Sequence, residues 1–165
     1  MTLQYARHLE SYNKAYEKLA EVLKKLPREM WSFKPSPRQP SVQEIVAHLT
    51  DQEGNHYLQC RQLGRQPGTV PDMGTEQWVR KLNIVQQEAD YNLEVFNLLR
   101  VMTHQLIQNL PVDCWQATVE HPAFGSLTFE QWLETSEKHF ALQLEQMQQN
   151  YQLWREKATG APGRN

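Results

Sequence analysis

Two side chains able to bind a metal ion stand four residues apart near the C-terminal end of the chain, His139 and Gln143. Four residues is just over one helical turn, so on a helix both project from one face. The row they belong to reads Trp132, Ser136, His139, Gln143, Met147, polar in its middle and apolar at its ends. A third polar residue, His48, lies at the flank of an apolar stripe set by Ile45, Leu49 and Leu63. His48, His139 and Gln143 can converge inside a bundle of helices. There imidazole nitrogens suit Zn, Ni, Fe or Cu, while an amide oxygen is a weaker and harder ligand. The same residues also suit a closed hydrogen-bond set, with His139 on Gln143 and His48 on a carboxylate or water. Spacing alone favours that plainer arrangement, because one helical His beside one Gln is a common accident.

The remaining candidates have weaker patterns. His56 lies two turns beyond His48, about 12 Å along a helix axis, so the two cannot share one ion. His8 and His104 fall beside their apolar seams and are expected to face water. His121 is expected to hold a turn. Glu44 and Glu53 could serve as acid or base, but they lack a spacing signature and read as a solvated face. No GxSxG, phosphate-binding or GxGxxG motif occurs, so no nucleotide cofactor is expected.

These side chains must be positioned by helices. Tyr5, Leu9, Tyr12, Tyr16, Leu19, Leu23 and Leu26 recur in steps of four and three, one seam of a first helix over 3–26. Four prolines between residues 27 and 40 then interrupt it. Ser41 and Glu44 form a capping-box pattern for a second helix over 41–64. A turn-rich stretch leads to a third helix over 75–109, with Trp78, Leu82, Val85, Ala89, Phe96, Leu99, Leu106 and Leu110 on its seam. Residues 111–127 read as a loop with no more than a short hairpin. Thr128 with Gln131 caps a fourth helix over 128–156. The expected fold class is all-α, an antiparallel four-helix bundle forming one domain over 1–157, with a loose tail over 158–165.

Composition narrows the function classes. The chain has 165 residues, 17 Lys plus Arg and 19 Asp plus Glu, for a formal net charge of -2. That balance offers no basic patch for nucleic acid or for an anionic membrane surface. No apolar run is long enough to span a bilayer. The two cysteines, Cys60 and Cys114, lack a CxxC spacing, and reduced thiols in a cytoplasmic protein are the expectation.

Two stretches carry a family resemblance. Trp31-Ser32-Phe33-Lys34-Pro35-Ser36-Pro37, followed by Ser41-Val42-Gln43-Glu44-Ile45-Val46-Ala47-His48-Leu49-Thr50-Asp51, resembles the first signature of the DinB-like family. The stretch from His121 to Met147, opening His121-Pro122-Ala123-Phe124-Gly125, resembles the second. The resemblance implies a four-helix bundle, often dimeric, with three histidines holding a divalent ion at an open site. It also implies chemistry similar to thiol-dependent transferases and isomerases, in which the metal activates a small thiol. Residue by residue, the ligand positions fall on His48, His139 and Gln143. Gln143 stands where the family has a third histidine, so the resemblance implies a weakened Zn or Ni site of low occupancy. The alternative is a non-catalytic bundle that binds a small ligand or a partner after losing the metal, or a purely structural homodimer. A homodimer is the expected assembly in each case.

Overall fold

The computed structural model describes residues 3–65, 70–71, 88–121 and 124–160. The first seam folds as two helices in line, α1 (Leu3–Asn13) and α2 (Ala15–Lys24), where one was expected. Neither Pro nor Gly causes the break. Lys14 takes φ -80° and ψ -2°, too flat for a regular turn, yet its N–H still bonds Glu10 O at 3.1 Å and its carbonyl accepts from Lys18 N–H at 3.1 Å. The axis bends and the hydrogen-bond ladder survives.

After α2 the chain turns through a short 3-10 segment, Arg28–Met30. Trp31 is buried there, and its indole N–H donates to Leu26 O at 3.3 Å, which anchors the proline-rich loop to the bundle end. α3 (Val42–Arg65) opens with the capping box: Glu44 N–H bonds Ser41 Oγ at 3.2 Å and Ser41 N–H bonds the Glu44 carboxylate at 2.7 Å. The third expected helix is described as α4 (Ala89–Gln108); its expected beginning, 75–87, lies outside the described residues. α5 (Phe129–Ala158) has the second capping box, with Gln131 N–H on Thr128 Oγ1 at 3.2 Å and Thr128 N–H on Gln131 Oε1 at 3.0 Å. The expected loose tail lies outside the described residues from position 161.

A small sheet closes one end, and it exceeds the hairpin expected from sequence. β2 (Thr118–His121) and β3 (Gly125–Thr128) pair antiparallel, and β1 (Val70–Pro71) adds to β2 in parallel, Val70 opposite Val119. Gly125 takes φ +71° at the hairpin turn, a conformation that disfavours any side chain.

The core divides into two apolar clusters. One gathers Leu19, Trp31, Val46, Leu49, Phe96, Phe140 and Met147. The other gathers Tyr12, Leu63, Ile107, Trp115, Phe129 and Trp132. Along α3, α4 and α5 the residues between the two clusters are polar: Glu53 and His56, Arg100 and Thr103, and Ser136. A polar layer thus crosses the bundle at mid-height.

Candidate functional site

α3 and α5 bring the three expected ligands together. The His48 and His139 rings stand edge to face, with centroids 5.4 Å apart and planes at 75°. Gln143 Nε2 lies 3.2 Å from His139 Nε2, and Gln52 Oε1 lies 3.1 Å from His139 Nδ1. An amide oxygen only accepts and an amide nitrogen only donates. With the amides placed this way, a His139 protonated at Nδ1 satisfies both contacts, donating to Gln52 and accepting from Gln143. Gln52, one turn beyond His48, was not singled out from sequence, although the i,i+4 spacing from His48 places it on the same face.

This geometry suits a divalent ion in part. Two imidazoles sharing a tetrahedral ion through bonds of about 2.0–2.1 Å hold their ring centres about 5 Å apart, close to the observed separation. A ligating histidine normally donates its other ring N–H to an outer acceptor, and Gln52 supplies that acceptor. The third position is the weak one. Gln143 presents its NH2 group to His139, so an ion requires the amide to turn and offer its oxygen. Among the described residues no group of three His, Cys, Asp or Glu side chains is placed to hold a metal. Two imidazoles and one amide are thus the candidate donors that the cluster offers.

Of the other histidines, His8 departs from its expected place and His121 keeps to it. His8 does not face water: its Nδ1 lies 3.4 Å from Glu137 Oε2, and its Nε2 lies 3.6 Å from Glu134 Oε1 and 3.9 Å from Glu130 Oε1. Three carboxylates on one face of α5 thus surround an imidazole from α1. His121 sits in β2 opposite Gly125, its ring against Phe124 at 4.8 Å, in keeping with a role at the turn.

Glu53 departs most. Instead of lying on a solvated face it is 1% exposed, at the centre of the polar layer. Its carboxylate accepts a hydrogen bond from the Tyr12 hydroxyl and pairs with Arg100 Nη2 at 2.9 Å and His56 Nδ1 at 3.5 Å. Burial by itself would push the Glu53 pKa up; Arg100 foremost, then His56 and Tyr12, outweigh it and hold the carboxyl below its ordinary 4.5. The Tyr12 phenol is driven the other way, well above 10.0, by burial first and then by Glu53 and Cys60, against a lowering by Arg100. The Arg100 guanidinium also lies 3.9 Å from the Tyr12 ring centre.

Ser136 Oγ, 3.4 Å from His56 Nε2, completes a run of hydroxyl, imidazole and carboxylate. It is poorly equipped as a nucleophile. Its hydroxyl donates to Trp132 O at 3.0 Å, and the backbone N–H groups around a mid-helix serine are committed to the helix, leaving no donors for an oxyanion. The run serves as a brace between α3 and α5.

Fold and cluster together define the class: a four-helix bundle with a histidine pair and a flanking amide facing each other across two helices. The chain matches the DinB superfamily over residues 11–147 and belongs to it. It is similar in structure to YfiT from Bacillus subtilis, described as a probable metal-dependent hydrolase with an unusual four-helix bundle topology. The TM-score is 0.78 at 13% identity, covering 97% of this chain and 90% of that one. No curated protein sequence matches the chain. No helix among the described residues is long and apolar enough to cross a membrane.

Proposed function

We propose that His48, His139 and Gln143 form a low-affinity divalent-metal site, taking Zn or Ni, that serves group transfer or hydrolysis on a small thiol-bearing molecule. The observation that carries this reading is the adjacency of two imidazoles from two helices, His48 and His139 with ring centres 5.4 Å apart, with Gln52 as an outer acceptor behind His139. The description of YfiT as a probable metal-dependent hydrolase supports the metal, and the family resemblance supports the thiol. A divalent ion held by His48, His139 and Gln143 would supply Lewis acidity that makes a nearby thiol or water more acidic. The protein's share is positional. Gln52 holds His139 in register, and Gln143 exchanges its N–H contact for an oxygen contact.

A second reading has its own observation. As found, Gln143 closes the His139 lone pair, so the cluster is also complete as a metal-free brace in a bundle that binds a ligand or partner without catalysis. Calorimetry with zinc and with nickel on untagged protein separates the two. We expect weak saturable binding to the wild type, no binding to His48→Ala or His139→Ala, and binding tightened by about tenfold or more in Gln143→His, roughly 1.4 kcal/mol. Should neither wild type nor Gln143→His bind an ion, the metal reading is wrong and the brace stands.

A further inference from the structure

The polar layer borders a cavity of about 190 Å³ that meets the histidine cluster only through Gln52; His48, His139 and Gln143 are not in its lining. Its lining comes from all the long helices: Tyr12 and Ala15 across the α1–α2 bend, Leu49 and His56 from α3, Arg100 from α4, and Ser136 with Phe140 from α5. Lys18 and Ala141, both exposed, mark its mouth between α2 and α5. Cavities of about 150 Å³ with apolar walls hold a molecule the size of benzene, so this one takes a single ring or a comparable aliphatic body.

The charges around it restrict the class further. Arg100 and Glu53 both line the cavity and neutralise each other at 2.9 Å. Lys18 and Glu137, the other charged lining residues, are again one of each sign. No surplus charge awaits a counter-ion, and an ionic ligand would lose its hydration without compensation. What the walls offer is apolar surface from Tyr12, Ala15, Leu49 and Phe140. To this the Ser136 Oγ, whose own proton goes to Trp132 O, adds an acceptor beside His56, and the Gln52 amide a second polar contact.

We propose that this cavity is a binding site for a small uncharged molecule, one aromatic ring or a similar apolar body carrying a single hydroxyl-type hydrogen-bonding group. Binding here is independent of any metal on the histidine cluster. The test uses the full chain treated with EDTA and three probes, phenol, benzene and benzoate, followed by ligand-observed NMR titration. We expect saturable phenol binding, with benzene and benzoate each weaker by about fivefold or more. Ser136→Ala should bind phenol no better than benzene. Ala141→Trp, which places a bulky ring at the exposed mouth, should weaken phenol by at least about tenfold with an unchanged far-UV spectrum. The proposal is overturned if phenol does not saturate, if benzoate binds as tightly as phenol, or if Ala141→Trp binds phenol unchanged. Phenol binding that appears only with added zinc would also overturn it, since the ligand would then belong to the histidine cluster.

Discussion

Glu53 carries a charge in the interior, and its three partners decide what that costs. Removing the charge while keeping the shape, Glu53→Gln, leaves Arg100 buried without its counter-ion. Loss of one partner of a buried pair typically destabilises by about 3–5 kcal/mol. We expect a loss of that size in urea unfolding at pH 7. The pH dependence follows from the lowered folded-state pKa. A carboxyl with a lower pKa folded than unfolded contributes stability above the ordinary value of 4.5, and that contribution disappears as pH falls through the folded value. Wild-type stability should therefore drop as pH is taken below about 4.5, and the drop should be shallower in Glu53→Gln. An equally steep acid limb in both proteins would mean that Glu53 is not the group responsible.

At the scale of elements, the two capping boxes do the same work at the starts of α3 and α5, and both were legible in sequence because a capping box is a local pattern four residues long. Thr128→Ala, which removes the Oγ1 acceptor of Gln131 N–H, should cost about 1 kcal/mol in thermal or urea unfolding. The adjacency of His139 and Gln143 was legible for the same reason, being one helical turn. What sequence could not show was any pairing between helices. Glu53 and Arg100 are 47 positions apart in the chain, and a charged residue on an amphipathic helix reads as solvent-facing until its tertiary partner is known. His8 was misplaced on that account, and Gln52 went unremarked because its partner lies on another helix. The bend at Lys14 has no Pro or Gly to announce it. The parallel pairing of Val70 with Val119 joins two short segments far apart in sequence, neither with strand-like alternation.

For the molecule as a whole, α4 leaves an apolar stripe uncovered: Tyr91, Val95, Leu98 and Met102, spaced four, three and four. Leu98 is 63% exposed. Contiguous apolar surface on one helix face commonly marks an interface, and we propose that a second copy of the chain covers this one through a two-fold pairing of α4. Light scattering at tens of micromolar should give a dimer mass for the wild type and a monomer mass for Leu98→Glu, with the helical spectrum retained. A monomeric wild type would remove the proposal.

The clasp of His8 by the α5 carboxylates joins residues up to 129 positions apart. During synthesis the N-terminal helix emerges long before its partner exists. Until residue 137 has left the ribosome, Tyr5, Leu9 and Tyr12 have no α5 to cover them, and their apolar face is open to chaperones and to other nascent chains. Bundle closure thus waits until α5 has been made, and the time between the synthesis of α1 and that of α5 sets how long that exposure lasts.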